Sequence, residues 1–383
     1  MEDWKEKFIN YTDSLRTAEA ISIRQQNMPE KIYRYRPGTD DRDLENLKND
    51  TVWLCSPEKY NDPYDSALSL NYENLLSIIL TSGMFMNSET GKKISMDEIE
   101  KIKASVDPVK ELLKCIFQKR RFEKISEDTY EKIIEKSATI IAKSFRQNME
   151  KLLGHKILSL GRNLTKICSF SETKSSIIMW SHYAKNHEGF CIEYDLASLD
   201  EKEDPRDSLF PVIYSDQPHD ITHFFGFAMD LAKNPDALEA IKEVAKSKDL
   251  KKAQKIVAEK IKVSDFLHFM FKSQEWAYEK EWRLYFSDES PQPDHGYPMP
   301  TPSAIYLGAR MTEKNKKRIC DIAEQKKIDV YQMTLSGFEF KLFEEKVGAD
   351  IPESFTETEE WNLFKDKLIA EFPELESDSE INQ

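Results

Sequence analysis

The sequence predicts an α+β fold in which a central mixed β-sheet is decorated by two helical insertions. Three observations carry that expectation. Short runs rich in aromatic and β-branched residues stand before, between and after long helical blocks, and most are too far apart in the chain to close as hairpins. The helical blocks, at about 67–158 and 219–275, set Lys and Glu between apolar positions. Around them lie three chemically dense islands, at 33–65, 166–195 and 275–286, which mix Trp, Tyr, Arg, His and carboxylates with strand-like residues. Core packing has little use for that mixture, whereas a pocket assembled from distant segments does.

Each element follows from local chemistry. Residues 1–27 read as an amphipathic helix that ends near Asn27-Met28-Pro29. KIYRY (31–35) alternates aromatic and basic residues and reads as a strand. The segment 40–49 is a short helix with Leu44 and Leu47 on one face, and 51–55 is a strand closed by Ser56-Pro57. Asn61-Asp62-Pro63 forms a turn. After the first helical block come a strand at 166–170, a helix at 175–185 and strands at 189–194 and 210–214. After the second come strands at 279–286 and 304–307, a helix at 312–325, a strand at 329–333 and a last strand at 336–342. The expected divisions are an N-terminal helix (1–30), one body with its insertions (31–343) and an acidic tail (344–383) with one helix around 359–370.

Composition narrows the function classes. The 383 residues carry 69 acidic and 55 basic side chains, a net charge of −14. Residues 347–383 hold 11 acidic and 2 basic residues and so account for −9 of it, which leaves the body at −5. That balance disfavours a general polyanion binder but leaves room for a local basic groove. Cys55, Cys115, Cys168, Cys191 and Cys320 are widely spaced without a CxxC pair, which argues for a reducing cytoplasm over a disulfide framework. The N-terminus lacks the charged-then-apolar pattern of a signal peptide, and no apolar run approaches the ~20 residues that span a bilayer. A cytoplasmic protein with no membrane association is the expectation.

The islands supply the candidate site. Arg34 and Arg36 lie two apart on one strand, so both project to one side and could hold a phosphate, with Arg36 favoured at the strand's mouth; the alternative leaves them on a solvated strand face or pairs them with Asp40, Asp41 or Asp43. Ser169 and Ser171 end a strand and let a ligand approach the backbone, while Trp180, His182 and Tyr183 on the next helix offer binding and stacking surfaces. His182 and His187 have no third ligand at a standard spacing, so no metal site is expected. Glu279, Glu281, Arg283 and Tyr285 fall on one strand face, opposite the apolar Trp282, Leu284 and Phe286. That row suits a cleft wall, or else an ion-pair ladder on a wet face.

Taken together, KIYRYRP, LENLKNDTVWLCSPEKYNDPYD, SFSETKSSIIMWSHYAKNHEGFCIEYD, EWAYEKEWRLYF and AIYLGARM resemble the bacterial DUF2971 family over about 31–340. The resemblance implies a fold and a setting, often mobile or phage-defence related, and no assigned reaction. The order of the islands is also distantly similar to ADP-ribosyltransferases: an Arg-bearing first strand, a Ser- and Tyr-bearing unit, then a strand with Glu-x-Glu. It departs from them in lacking Ser-Thr-Ser and in the Trp-Arg that follows Glu281.

What that likeness implies is NAD as a substrate and an NAD-dependent ADP-ribosyltransferase or NAD-cleaving effector. Glu281, Glu279 and Arg36 would be catalytic. Arg34, Arg36, Ser169, Ser171, Trp180, His182, Tyr183 and Arg283 would bind the dinucleotide. The macromolecular target, protein or nucleic acid, stays open, as does a partner protein of a defence or toxin system. Two other readings stand beside it: a non-catalytic nucleotide- or partner-sensing module, and a nuclease whose metal would sit on Asp62 or Asp65 with Glu281.

Overall fold

A computed structural model describes residues 3–38, 41–81, 95–118, 122–163, 166–199, 205–226, 267–286, 295–348 and Lys367. The chain begins with α1 (Asp3–Asp13) and α2 (Thr17–Gln26), then β1 (Lys31–Arg36), α3 (Asp41–Lys48) and β2 (Thr51–Leu54). The first helical block opens with β3 (Leu68–Ser69) and continues as α4 (Tyr72–Thr81), α5 (Met96–Ala104), α6 (Pro108–Ile116) and α7 (Glu127–Asn163). Next come β4 (Lys166–Ser171), α8 (Ile177–Tyr183), β5 (Phe190–Asp195), β6 (Leu209–Pro211), β7 (Ile213–Ser215), β8 (His219–Asp220) and β9 (Phe271–Ser273). The last part holds β10 (Glu281–Phe286), β11 (His295–Pro298), β12 (Ala304–Leu307), α9 (Glu313–Lys326), β13 (Asp329–Leu335) and β14 (Leu342–Lys346).

Eight strands form the central sheet in the order β14-β13-β12-β5-β1-β4-β10-β6. The sheet is mixed: β12 and β13 run parallel, joined through α9, and the other neighbours are antiparallel. One face buries Ile32, Phe170, Phe190, Trp282 and Leu307 against Leu44 and Leu47 of α3 and Ile319 and Ile322 of α9. The opposite face buries Tyr33, Tyr35, Cys191 and Tyr306 against Met179 and Trp180 of α8. The helices α4, α6 and α7 close a cluster of their own around Leu76, Val109, Leu113, Tyr130 and Ile134. The fold is thus α+β with a large central sheet and a helical block beside it.

Several boundaries differ from expectation for local reasons. The N-terminal helix breaks at Leu15, whose φ of 54° no helix accommodates, and Trp4 of its first half stacks on Trp282 of β10 at 6.1 Å. The stretch at 210–214 is two strands separated at Val212, whose N–H donates to Glu281 O at 2.9 Å. In place of a helix up to 275, the described residues 267–279 form two 3-10 turns flanking β9; residues 227–266 of that block lie outside the described residues. The last strand is Leu342–Lys346, beyond the expected 336–342, because Ser336–Lys341 forms the turn of a hairpin with β13. The expected helix at 359–370 lies outside the described residues, Lys367 excepted.

One irregularity positions the site. β4 pairs with β1 at a single register point, Tyr33 opposite Ser171. Farther along, at Ile167, β4 is instead bridged by Cys55 at the end of β2. Between those points Cys168–Phe170 have no strand partner on that side, and the sheet opens.

Candidate functional site

A cavity of about 640 Å³ occupies this opening, within the size range of small-molecule sites. By strand parity Arg34 and Arg36 share the face of Ile32, whereas Ser169, Ser171 and Glu281 share that of Tyr33. In a continuous sheet these two sets would be separated by the backbone layer. They line one cavity because β1 and β4 part.

At one end stands a buried ionic cluster. Arg283 on β10 is fully buried and grips Asp65 with two nitrogens, at 2.9 and 2.6 Å, and Glu281 with two, at 2.7 and 3.1 Å. Its Nη1 also donates to Ser66 Oγ at 3.1 Å and to Phe269 O. Lys272 on β9 reaches in beside it, with Nζ at 2.5 Å from Glu279, 3.0 Å from Glu281 and 3.6 Å from Asp65. Glu279 ends a 3-10 turn and Glu281 begins β10, and between them Lys280 adopts φ 46°. That left-handed residue turns both carboxylates onto the same ammonium.

Charge arithmetic divides the two glutamates. Two cations balance two of the three carboxylates, so a third negative charge is uncompensated in a buried place. Burial opposes ionisation of Glu281, but Arg283 and Lys272 outweigh it and hold this carboxyl well below the usual range. Burial, together with the Glu281 charge, pushes Glu279 up to about 7. Lys272 is raised above an ordinary lysine because Glu281 and Asp65 override the cost of burying it. The Tyr183 hydroxyl donates to the second oxygen of Glu279, and burial with that carboxylate raises its pKa. Two neighbouring carboxyls, one ionised and one poised near neutrality, form an acid–base pair.

The rest of the lining is basic and aromatic. Arg34 donates through Nη1 to Ser169 O at 2.9 Å and to Cys168 Sγ, bridging the gap between β1 and β4. Its guanidinium lies 5.6 Å from the Phe170 ring, and no carboxylate pairs with it among the described residues. Arg42 stacks 5.1 Å over Trp53, and Lys59 and Tyr60 complete this wall. Arg162, near the end of α7, fixes the loop that bears Lys59 and Tyr60 by donating to Pro57 O and Glu58 O at 3.1 and 3.2 Å.

Of the ten residues singled out in the sequence, Arg34, Arg36, Ser169, Ser171, His182, Tyr183, Glu279 and Glu281 line the cavity. Trp180 does not: it is wholly buried, its indole N–H donates to Lys174 O at 2.7 Å, and its edge packs on Tyr35. Arg283 does not either, since it lies beneath the cavity holding the acids. Arg36 lines the wall, but Asp43 takes its Nε at 2.8 Å and Gly38 N–H at 3.2 Å, so the favoured cation is the neutralised one. Ser171 Oγ donates to Glu279 O at 2.6 Å and Ser169 Oγ to Tyr60 at 3.2 Å. His182 sits at the rim, 3.0 Å from the Tyr278 hydroxyl. Tyr285, expected beside the acids, stacks on Phe269 at 4.1 Å in the core.

Sequence reasoning missed Lys272, which sat in a presumed helix; the aromatic pattern of HFMFKS was the available signal for a strand. It also missed Tyr60, Arg42 and Trp53, whose roles depend on β2 folding over the gap. Asp65, entertained as a metal ligand, has both oxygens on Arg283, and the Lys272 ammonium fills the space between the carboxylates. Among the described residues no cluster of three His, Cys, Asp or Glu side chains has metal-holding geometry, and no helix is long and apolar enough to cross a membrane.

Comparison with known families shows that the family described as "Protein of unknown function (DUF2971)" is similar to this chain over residues 179–284. That segment runs from α8 through β10 and includes Tyr183, Lys272, Glu279 and Glu281. No curated protein and no solved structure matches the chain.

Proposed function

We propose that the cavity binds NAD and breaks its nicotinamide–ribose bond, passing ADP-ribose to water or to a macromolecular acceptor. The observation that carries this reading is the Glu279–Glu281 pair, one proton-bearing near neutrality and one ionised, lining the same cavity as Arg34, which has no carboxylate partner among the described residues. Arg34 would take a phosphate by charge-assisted hydrogen bonds. As the bond breaks, its electron pair leaves with nicotinamide and positive charge grows on the sugar carbon. With Glu279 ionised, the cluster of Asp65, Glu279, Glu281, Lys272 and Arg283 has one surplus negative charge to stabilise that centre. Glu279 then accepts the proton of the attacking water or acceptor hydroxyl. Glu281 and Arg283 hold Glu279's environment and act through it.

This role fixes the pH dependence. A base must be deprotonated, so turnover rises as pH passes through about 7. The test is incubation of the pure protein with NAD, with and without lysate or nucleic acid, while free nicotinamide is followed by chromatography. Glu279→Gln should lose activity by about 10²–10⁴-fold. Absence of nicotinamide release under every condition would sink the catalytic reading. A second reading has its own support, since both oxygens of Glu279 are already occupied, by Tyr183 and Lys272. It is a nucleotide-sensing module, and it predicts thermal stabilisation by NAD or ADP-ribose without turnover. In either form, a role in anti-phage defence is part of the proposal, and infected cells would show NAD loss or a ligand-gated partner.

A further inference from the structure

β14 is the outermost strand of the central sheet, and its outer edge has no strand partner among the described residues. Val347 N–H donates to Val330 O at 2.8 Å and Ser336 N–H to Lys341 O at 3.0 Å, so odd-numbered residues of this strand turn their backbone groups toward β13. Alternation then turns the N–H and C=O of Leu342, Glu344 and Lys346 outward. Beside this edge Phe343 is 48% exposed, Leu335 66%, and Phe338 and Phe340 at the hairpin tip are fully exposed. An open edge flanked by exposed apolar side chains is a template for another strand.

We propose that this edge pairs with the same edge of a second copy, antiparallel about a two-fold axis at Phe343, which joins two sheets into one. The register follows from hydrogen-bond parity and charge. Outward residues must oppose outward residues, so the axis passes through a residue and not between two. An axis at Glu344 or Glu345 sets that glutamate against itself, and an axis at Leu342 sets Glu345 against Glu339 of the second copy. Like charges directly opposite are destabilising. An axis at Phe343 sets Phe343 against Phe343 at a non-hydrogen-bonded position, where side chains are closest, and sets Glu345 against Lys341 twice. Leu342 then exchanges backbone hydrogen bonds with Glu344 of the second copy.

Charge complementarity favours the second copy as occupant. Glu344 is already neutralised by Lys174 at 2.8 Å and Lys346 by Asp329 at 2.9 Å. Among the described residues Glu345 has no cation within ion-pair distance, and Lys341, 60% exposed, lies 3.8 Å from Glu339 on its own hairpin. Glu345, with no cation beside it, and Lys341, held only by that long exposed contact to Glu339, are the two charges this register brings together.

Sedimentation equilibrium on the full chain at micromolar concentrations tests the proposal. The wild type should be a dimer. Glu345→Lys and Lys341→Glu should each weaken dimerisation about tenfold or more, since each makes two like-charge pairs, and the double swap should restore it. Phe343→Cys should form an intermolecular disulfide on oxidation, above the background of the native cysteines. A monomeric wild type, single variants that dimerise as tightly as wild type, or a double swap that stays monomeric would each overturn the proposal. A monomer that instead takes up a lysine-rich strand peptide would assign the edge to a foreign strand and would also overturn it.

Discussion

Replacing Glu279 by Gln isolates the proton that the buried cluster forces onto this residue. Its side chain is 4% exposed, with Lys272 at 2.5 Å. An ordinary glutamate titrates at 4.5 and this one at about 7. The folded pKa is raised, so between these values the native state holds a proton that the unfolded chain has released, and stability falls as pH rises across that window. A gap of this size amounts to about 3 kcal/mol, gained in full below the unfolded value and lost by the folded one. Glutamine mimics the protonated acid at every pH. Relative to its fully protonated limit, wild type should therefore fall behind Glu279→Gln by less than about 1 kcal/mol at pH 5 and by about 3 kcal/mol at pH 8. Urea titrations of both proteins at the two pH values measure this. A difference between the proteins that is the same at pH 5 and pH 8 would refute the buried-proton argument.

The other expectations concern neighbouring parts of the site. Arg283→Met leaves Asp65 and Glu281 buried with Lys272 alone, and should destabilise the fold by about 3–5 kcal/mol in the same urea assay; a loss below about 1 kcal/mol would mean the network contributes little. Arg34→Met should weaken NAD or ADP-ribose binding about tenfold to a hundredfold by calorimetry, whereas Arg36→Met should act mainly on stability through the orphaned Asp43; equal effects on binding would contradict that division. A β-carbon at Gly189 would sit 2.1 Å from Arg36 O and 3.0 Å from Pro37 Cα, so Gly189→Ala should cost about 1–3 kcal/mol and disturb the cavity wall. Wild-type stability in that variant would show that β5 has slack against β1.

The islands were legible because period-two alternation reports which residues share a strand face. It identified Trp282 and Leu284 as core and Arg34 with Arg36 as a pair, and it found β1, β4, β5 and β12 to within one residue and β10 but for its first two. What alternation cannot report is a break in a ladder. The opening beside Cys168–Phe170 depends on β4 changing its partner from β1 to Cys55, a long-range choice with no local mark. For the same reason Arg283 was misplaced: the alternating row at 279–285 looked like a cleft wall, but the chain kinks at Lys280 and packs Arg283 under the acids. The choice between Arg34 and Arg36 rested on Asp43, seven residues beyond Arg36 on the next helix. Lys272 was hidden because lysine in a charged stretch usually means a wet helix, and only the fold supplies the three carboxylates around it.

The gap between β1 and β4 also bears on how the molecule would respond to a ligand. Two halves of one sheet meet there at a single rung, Tyr33 with Ser171, with the Arg34 side chain as a brace. A molecule lodged in the gap would lie within the hydrogen-bonding layer and stitch the halves together. Amide protons on both sides of the seam should then exchange more slowly when the site is filled, and occupancy would be felt as stiffness across the entire sheet.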